Sequence, residues 1–389
     1  NKHSKAFGLI LDSTRDMEMG TVAGIGFALA AYIIGTEKRY VSKEESLERT
    51  LGTLKTLRDY IPEINGFWGH FLNMETGQRR VNKRGKETEY STIDTAIALM
   101  GVIASMEYYG GEVAKIAKEL LERVKWEWLV KEVAGKKYFR MAYNETDPNY
   151  ENGWSKASWD HYAEQLMMYF LYAGQQNSNV VLAKDLYMDF ERGLGSFQSP
   201  NYVYCFGNAL FIHQFSHAFI DFKKIKDMKG FNWFENSVSA TIANKNYCST
   251  LNFETYKQGF WGLTAMHSET GYTVLGAPPY GYKRYDFVVD GIKGLVAPYA
   301  SMSSIIFTPK ESLEQIEKFG KMESLWGKYG LYDSFNLENG FISRSYLAID
   351  KGPTIIMLDN FDNGIIQKLV MNSEFIKKAI VTLGFTYND

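Results

Sequence analysis

The sequence predicts an all-α protein: an (α/α)6 toroid of six inner and six outer helices, with long loops shaping a central cleft. Three observations predict it. Helical patterns recur along 389 residues, roughly a dozen of them, in a chain long enough for a large core. They come mostly in pairs, joined by alternately short and long connections. No fixed-period repeat, low-complexity tract or linker interrupts them, so residues 1–389 read as one domain and a superhelical solenoid is the weaker rival.

The elements follow in order. Val22 to Gly35 is an apolar run (Ala23, Ile25, Phe27, Leu29, Ile33, Ile34). It is too short to span a bilayer and so predicts a buried helix. Ser42-Lys43-Glu44-Glu45 has the form of a capping box, continued by Leu47, Leu51 and Leu54 and closed by Pro62. GFWGHFLNMETGQRR at 66–80 is punctuated by glycine and predicts a short strand or loop excursion turning at Glu75-Thr76-Gly77. Helix returns at about 91–109 through Ile93, Ala96, Ile97, Met100 and Ile103, stops at Gly110-Gly111, and has a partner at 112–125. The polar, aromatic stretch 143–158 is a long loop. Further helices fit 159–173, 179–192, 209–220 and 233–248. A second loop, LGAPPYGYKRYD, occupies 275–286. Helices resume at about 297–306 and at Thr308-Pro309-Lys310-Glu311, a second capping box with proline at the first helical position. The last are predicted at 353–360, 364–371 and 374–383.

Composition narrows the function classes. With 43 basic and 45 acidic residues the net charge is −2, which gives no field for holding nucleic acid or an anionic membrane. The aromatic share of 15% fits a well-filled core, and fits equally a cleft whose rings stack on sugar faces. Two cysteines, Cys205 and Cys248, are too few for a disulfide framework or a zinc site, although they could pair. No Gly-x-Ser-x-Gly elbow and no phosphate-cradling glycine loop occurs, which argues against esterase and nucleotide chemistry. No cofactor or metal is expected. No leader is visible and the first residue is Asn. A removed export signal would place the protein in the periplasm or outside the cell, and otherwise it is expected in the cytoplasm.

Polar groups set into apolar helical runs are the candidate site residues. Asp160 and Glu164 lie four apart in the predicted helix 159–173. On one face they would repel, raising the pKa of one member as a general acid requires. The alternative is a solvated first turn whose acids complement the helix dipole. Glu235 opens the next buried run, with Asn232 as its cap, and Asp94 sits near the start of an apolar helix. Local capping explains either one. His213 and His217, with Asp221, have the spacing of a metal stripe, but two hydrogen-bonded wall histidines is the favoured reading.

Several segments carry a family resemblance: EYSTIDTA (89–96), HQFSHAFIDFKKIKD (213–227), NWFENSVSATIANKNYC (232–248), WGLTA (261–265), DGIKGLVAPYASMSS (290–304) and LWGKYGLYDSFN (325–336). Together with GFWGHFLNMETGQRR and IDKGPTIIMLDNFDNG (349–364), they resemble the glucoamylase-like family. That family includes the endo-β-1,2-glucanases and sophorose-releasing enzymes of glycoside hydrolase family 144, and is related to the cyclisation domain of cyclic β-1,2-glucan synthases. The resemblance implies the toroid, a deep cleft and metal-free cleavage of a glucan.

Carried over residue by residue, the resemblance makes Glu164 the general acid and Glu235 the first choice for base or nucleophile. Asp94 is the second choice. In one branch the third helix carries Asp-x-x-Glu-Thr. Here those positions are Ser91 and Asp94, so the first acid is missing and its role must fall elsewhere. Hydrolysis needs two such groups, one to protonate the leaving oxygen and one to activate water or attack the anomeric carbon. The hydrolase branch implies inversion. Trp159, Trp233, Trp261 and Tyr272 are candidate stacking platforms, and Asp160, His213, His217, Asp221 and Asn236 candidate hydroxyl ligands. A retaining, cyclising transglycosylase, a polysaccharide lyase and a non-catalytic glycan-binding protein are the rivals. The lyase would want a basic cleft that this charge balance does not offer.

Overall fold

The computed structural model describes residues 8–279 and 294–388. Among them are eleven α-helices of eight residues or more. They are α1 (Val22–Glu37), α2 (Lys43–Asp59), α3 (Thr92–Tyr109), α4 (Gly111–Arg123), α5 (Leu166–Gly174), α6 (Val180–Asp189), α7 (Trp233–Thr250), α8 (Pro309–Gly320), α9 (Ala348–Asp362), α10 (Ile365–Asn372) and α11 (Glu374–Leu383). Their starts follow from local chemistry. Ser42 Oγ accepts the Glu45 N–H at 3.1 Å to begin α2, and Asn232 Oδ1 accepts from Phe234 and Glu235 at 2.8 and 3.1 Å to begin α7. At α8, Pro309 opens the helix as expected, but Thr308 supplies no side-chain cap to a backbone N–H.

The packing centres on α1 and α3, which are buried along most of their length. They cross backbone to backbone: a Cβ on Gly26 would lie 2.0 Å from the Ile97 carbonyl oxygen, and one on Gly101 would lie 2.2 Å from that of Gly26. Only glycine fits at either point. The crossing sets the depth at which the first turn of α3 stands.

The chain is mostly helical rather than all-α, because short antiparallel strands fill several connections. Strands β1 (Leu11–Ser13), β2 (Asp16–Thr21) and β3 (Phe71–Asn73) form one sheet in that order, with Gly20 opposite both Leu11 and Leu72. β3 is the predicted excursion, and it turns where expected: Asn73 Oδ1 accepts the Glu75 and Thr76 N–H groups, and Gly77 takes φ +72°. Strands β4 (Ala265–Ser268) and β5 (Gly271–Val274) make a hairpin, while β6 (Leu295–Val296), β7 (Ser334–Asn336) and β8 (Phe341–Ser343) make a second three-stranded sheet. A bridge from Ser13 to Leu347 ties β1 to the start of α9.

Two helical expectations fail. Residues 209–220 break into a 3-10 turn, Leu210–His213, and a short helix, Phe215–Phe219. Residues 159–165 are not helical at all. Trp159 donates its N–H to the Phe139 carbonyl (2.8 Å) and Tyr162 to that of Glu191 (3.0 Å), so the segment is held extended by distant partners. Gln165 closes it off, accepting from Ala163 N–H at 2.7 Å and donating to the His161 carbonyl at 2.8 Å. Of the predicted loop at 275–286, residues 280–286 lie outside the described residues. Cys205 and Cys248 are two buried free thiols, not a pair. No helix among the described residues is long and apolar enough to cross a membrane.

Candidate active site

A cavity of about 450 Å³ opens where helix starts and hairpins converge, a size suited to a small ligand or part of a chain. The starts of α1 and α3 supply Ala23 and Asp94, the extended segment before α5 supplies Glu164, and Leu347 and Ile349 come from the start of α9. β1 and the turn after it bring Asp12 and Arg15. His70 and Phe71 come from β3 and the residue before it, and the β4–β5 hairpin adds His267 and Tyr272. The wall is therefore apolar, with acids and histidines set into it.

Each acid is held in a distinct environment. Asp94 lies in the first turn of α3, where Ser91 Oγ accepts its N–H at 3.3 Å and donates to its carboxylate. His70 Nδ1 meets Glu89 Oε1 at 2.8 Å, and its Nε2 lies 3.6 Å from Asp94 Oδ1. Burial works against a charged His70, but Asp94, Glu89 and Asp12 overcome it and lift its pKa to about 9. Glu164 is pushed up to about 7, mainly by burial; its own backbone N–H pulls the other way and nearby Asp94 adds to the rise. Burial likewise raises Asp12 to about 6, opposed by His70. The result is a carboxylic acid half-protonated near neutrality beside a carboxylate facing an imidazolium.

Below the other side of the cavity, Asp333 Oδ2 accepts from the His267 N–H (3.0 Å), His267 Nδ1 (2.9 Å) and Ser343 Oγ (3.0 Å). Arg15 is held at the mouth by donating to Ser345 Oγ at 3.3 Å and to Ser343 Oγ at 3.0 Å.

Of the residues singled out from sequence, the structure brings Glu164, Asp94 and Tyr272 to this cavity. The others stand elsewhere. Glu235 is exposed in the first turn of α7 and does not line the cavity, so it cannot oppose Glu164; the capping reading of this position holds. Asp160 is half-exposed and pairs with His161 at 2.8 Å. Because 159–165 is extended, the supposed repulsion across a helix face does not arise, and Glu164 owes its shift to burial and Asp94 instead.

The buried tryptophans are core rather than platform. Trp159 donates to Thr92 Oγ1 at 2.9 Å; Trp233 donates to Tyr187 Oη at 2.8 Å and stacks on Tyr162 at 4.8 Å; Trp261 sits in a second apolar cluster with Phe260 and Phe335. His213 accepts no substrate either, being buried between Tyr162 Oη (3.3 Å) and Asn208 Oδ1 (3.0 Å). His217 meets Ser237 Oγ at 2.9 Å. Burial pushes both imidazoles down to about 3, the state of neutral wall histidines. Asn236 pins Val203 through both its N–H and its carbonyl, at 2.6 and 3.1 Å. Asp221 pairs with Lys224 at 3.1 Å.

Asp12, Arg15, His70 and His267 are the cavity groups that sequence reasoning missed. The one available signal was His70 within the aromatic run GFWGHF. A test of the revised placement is Glu235→Gln. It should leave activity unchanged and cost at most about 1 kcal/mol of stability through the lost helix-start charge, checked by thermal melting and rate measurement.

Comparisons with known proteins agree with this architecture. Residues 156–374 match the family model described as "Putative glucoamylase". The chain is 22% identical over 408 aligned residues to the exo β-1,2-glucooligosaccharide sophorohydrolase (non-reducing end) of Parabacteroides distasonis, covering 93% of this chain and 53% of the relative. It thus spans about half the length of that curated relative. A Bacteroides fragilis crystal structure bearing the same glucoamylase description superposes with a TM-score of 0.86 at 25% identity, covering 100% of this chain and 94% of that one. The endo-β-1,2-glucanase of Chitinophaga pinensis, solved with sophorotriose and glucose, superposes at 0.83 with 24% identity, covering 98% and 93%.

Proposed function

Because the chain belongs to the glucoamylase-like family, we propose that it is a glycoside hydrolase that cleaves β-1,2-glucan or its oligosaccharides by carboxylate acid–base catalysis with inversion. The observation that carries this is Glu164, a cavity-lining carboxyl that holds its proton up to about pH 7. The β-1,2 linkage is supported by the printed activities of the relatives from P. distasonis and C. pinensis. The helices are read as an (α/α)6 toroid in a single domain, since the starts of α1, α3 and α9 open on one cavity and the superpositions run nearly the whole chain.

Glu164 donates its proton to the inter-sugar oxygen as the C–O bond breaks. Water attacks the anomeric carbon from the opposite face, and Asp94 takes the proton that water loses. Asp94 replaces Glu235 in that role because it shares the cavity and is oriented by Ser91 and His70. Tyr272 and Phe71 offer ring faces to the sugars, and Arg15 offers donors to hydroxyls at the mouth.

The reading is tested by incubation with linear β-1,2-glucan and a panel of other glucans, followed by product sizing. Short linear products from β-1,2-glucan alone support it. Rings or redistributed lengths would mean transfer, and turnover of a different polymer only would discard the substrate. The pH profile has a fixed sign. The catalytic form of Glu164 is the protonated one, so kcat/KM falls as pH rises through about 7; a profile flat well above that value would exclude Glu164 as the acid.

A further inference from the structure

Catalysis by Glu164 and Asp94 leaves unused a pair of carboxyl groups buried beside His267. Asp350 is the third residue of α9, and neither of its carboxyl oxygens receives a donor although both are buried. Asp333 Oδ1 is likewise buried without a donor, and the two side chains are within hydrogen-bond reach of each other. Two ionised carboxylates so placed would present acceptor to acceptor, repelling in a medium that screens poorly. One proton between them satisfies both.

The proton's owner follows from the donor count. Asp333 Oδ2 already takes three hydrogen bonds, from the His267 N–H, His267 Nδ1 and Ser343, so the negative charge belongs to Asp333. The other charged groups that act on Asp350 are Lys351 and Asp12, and Lys351 donates its ammonium to the Leu331 carbonyl. The neighbouring phenols are Tyr272 and Tyr299, and Tyr299 Oη donates to the Ala265 carbonyl at 2.9 Å. Burial, and then the charge on Asp333, raise the Asp350 pKa well above the carboxylate range.

His267 is the link to the cavity. Its Nδ1–H is committed to Asp333, which fixes the tautomer and leaves Nε2 as the remaining ring nitrogen. The ring lines the cavity and meets Tyr272 edge to face at 5.1 Å.

We propose that Asp350 is a neutral carboxylic acid that donates its proton to Asp333, and that this pair holds His267 with Nε2 presented to the cavity as an acceptor for a substrate hydroxyl. Asp350 and Asp333 are thus positioning residues acting through His267. The substrate part rests on the glycan-cleaving reading of the cavity; the protonation and tautomer do not.

The experiment uses the full chain, 15N-labelled at histidine, and its Asp350→Asn and Asp333→Asn variants. Infrared difference spectra at mildly alkaline pH should show an un-ionised carboxyl band in the wild type that Asp350→Asn removes. The 15N shifts of His267 should report a protonated Nδ1 and a bare Nε2 in the wild type and in Asp350→Asn alike, because the amide of that variant can donate as the acid did. On linear β-1,2-glucan, Asp350→Asn should keep kcat/KM within about threefold, as expected when a neutral donor replaces a neutral donor. Asp333→Asn should release the tautomer and raise KM about tenfold, more than it lowers kcat. A protonated Nε2 in the wild type, or absence of the carboxyl band, would overturn the proposal, and neither readout needs a variant that folds or an active enzyme. A loss above about a hundredfold in a folded Asp350→Asn protein would overturn it too, by showing that the charge is needed. If the glucan is not cut at all, the spectra still decide the pair while the glycosidase reading fails alone.

Discussion

Glu164→Gln is expected to lower kcat on linear β-1,2-glucan by about a thousandfold, within the range a positioned general acid supplies. The amide keeps the shape and hydrogen-bonding reach of the side chain but has no proton to give. KM should move little, because the cavity walls and ring faces remain. The loss should also depend on the leaving group. An aryl glycoside whose phenolate departs unaided needs no acid, so it should be spared most of the effect, and comparing the two substrates by initial rates separates proton donation from misfolding. Equal losses on both would remove Glu164 from the acid role.

The second large effect is structural and reaches the site through α3. Gly26→Ala should cost about 3 kcal/mol or more, at the upper end of what overpacking does. The added Cβ would stand 2.0 Å from the Ile97 carbonyl oxygen, 2.5 Å from its carbon and 2.8 Å from Ala98 Cα. All three are backbone atoms that cannot rotate aside, so α1 and α3 must separate. Asp94 rides on α3 one turn before that contact, so activity should fall with stability. Gly320→Ala is the control. It ends α8 with nothing within 4 Å of the new Cβ, and it should be neutral or slightly stabilising. Denaturant melts of the two variants check the contrast, and similar midpoints would mean the crossing has slack.

Much of the scaffold was legible because its information is local. An apolar run such as Val22–Gly35 has one physical solution, a helix buried all round, and Ser42 or Asn232 before such a run marks its start. The segment 159–165 was not legible. Its backbone bonds go to Phe139 and Glu191, residues remote in sequence, and that competition overrides an apparently helical pattern. The same limit applied to the site. A carboxylate in a first helical turn reads alike whether it faces solvent, as Glu235 does, or a cavity, as Asp94 does. Trp159, Trp233 and Trp261 could be ranked as core or platform only once their neighbours were known. Asp12, Arg15 and His267 sit on or beside hairpins whose partners come from the far end of the chain, Leu347 and Ser343 among them, so no spacing announces them.

The central claim is that the cavity holds a carboxylic acid ready to give up a proton at neutral pH. It is tested most directly by titrating the 13C-labelled carboxyl of Glu164 in the full chain by NMR, with Glu164→Gln used to assign the signal. The account predicts a midpoint near 7, raised from the ordinary 4.5 by burial and by Asp94. A midpoint at the ordinary value would mean that Glu164 stands ionised in water, and the proposed chemistry would lose its proton donor.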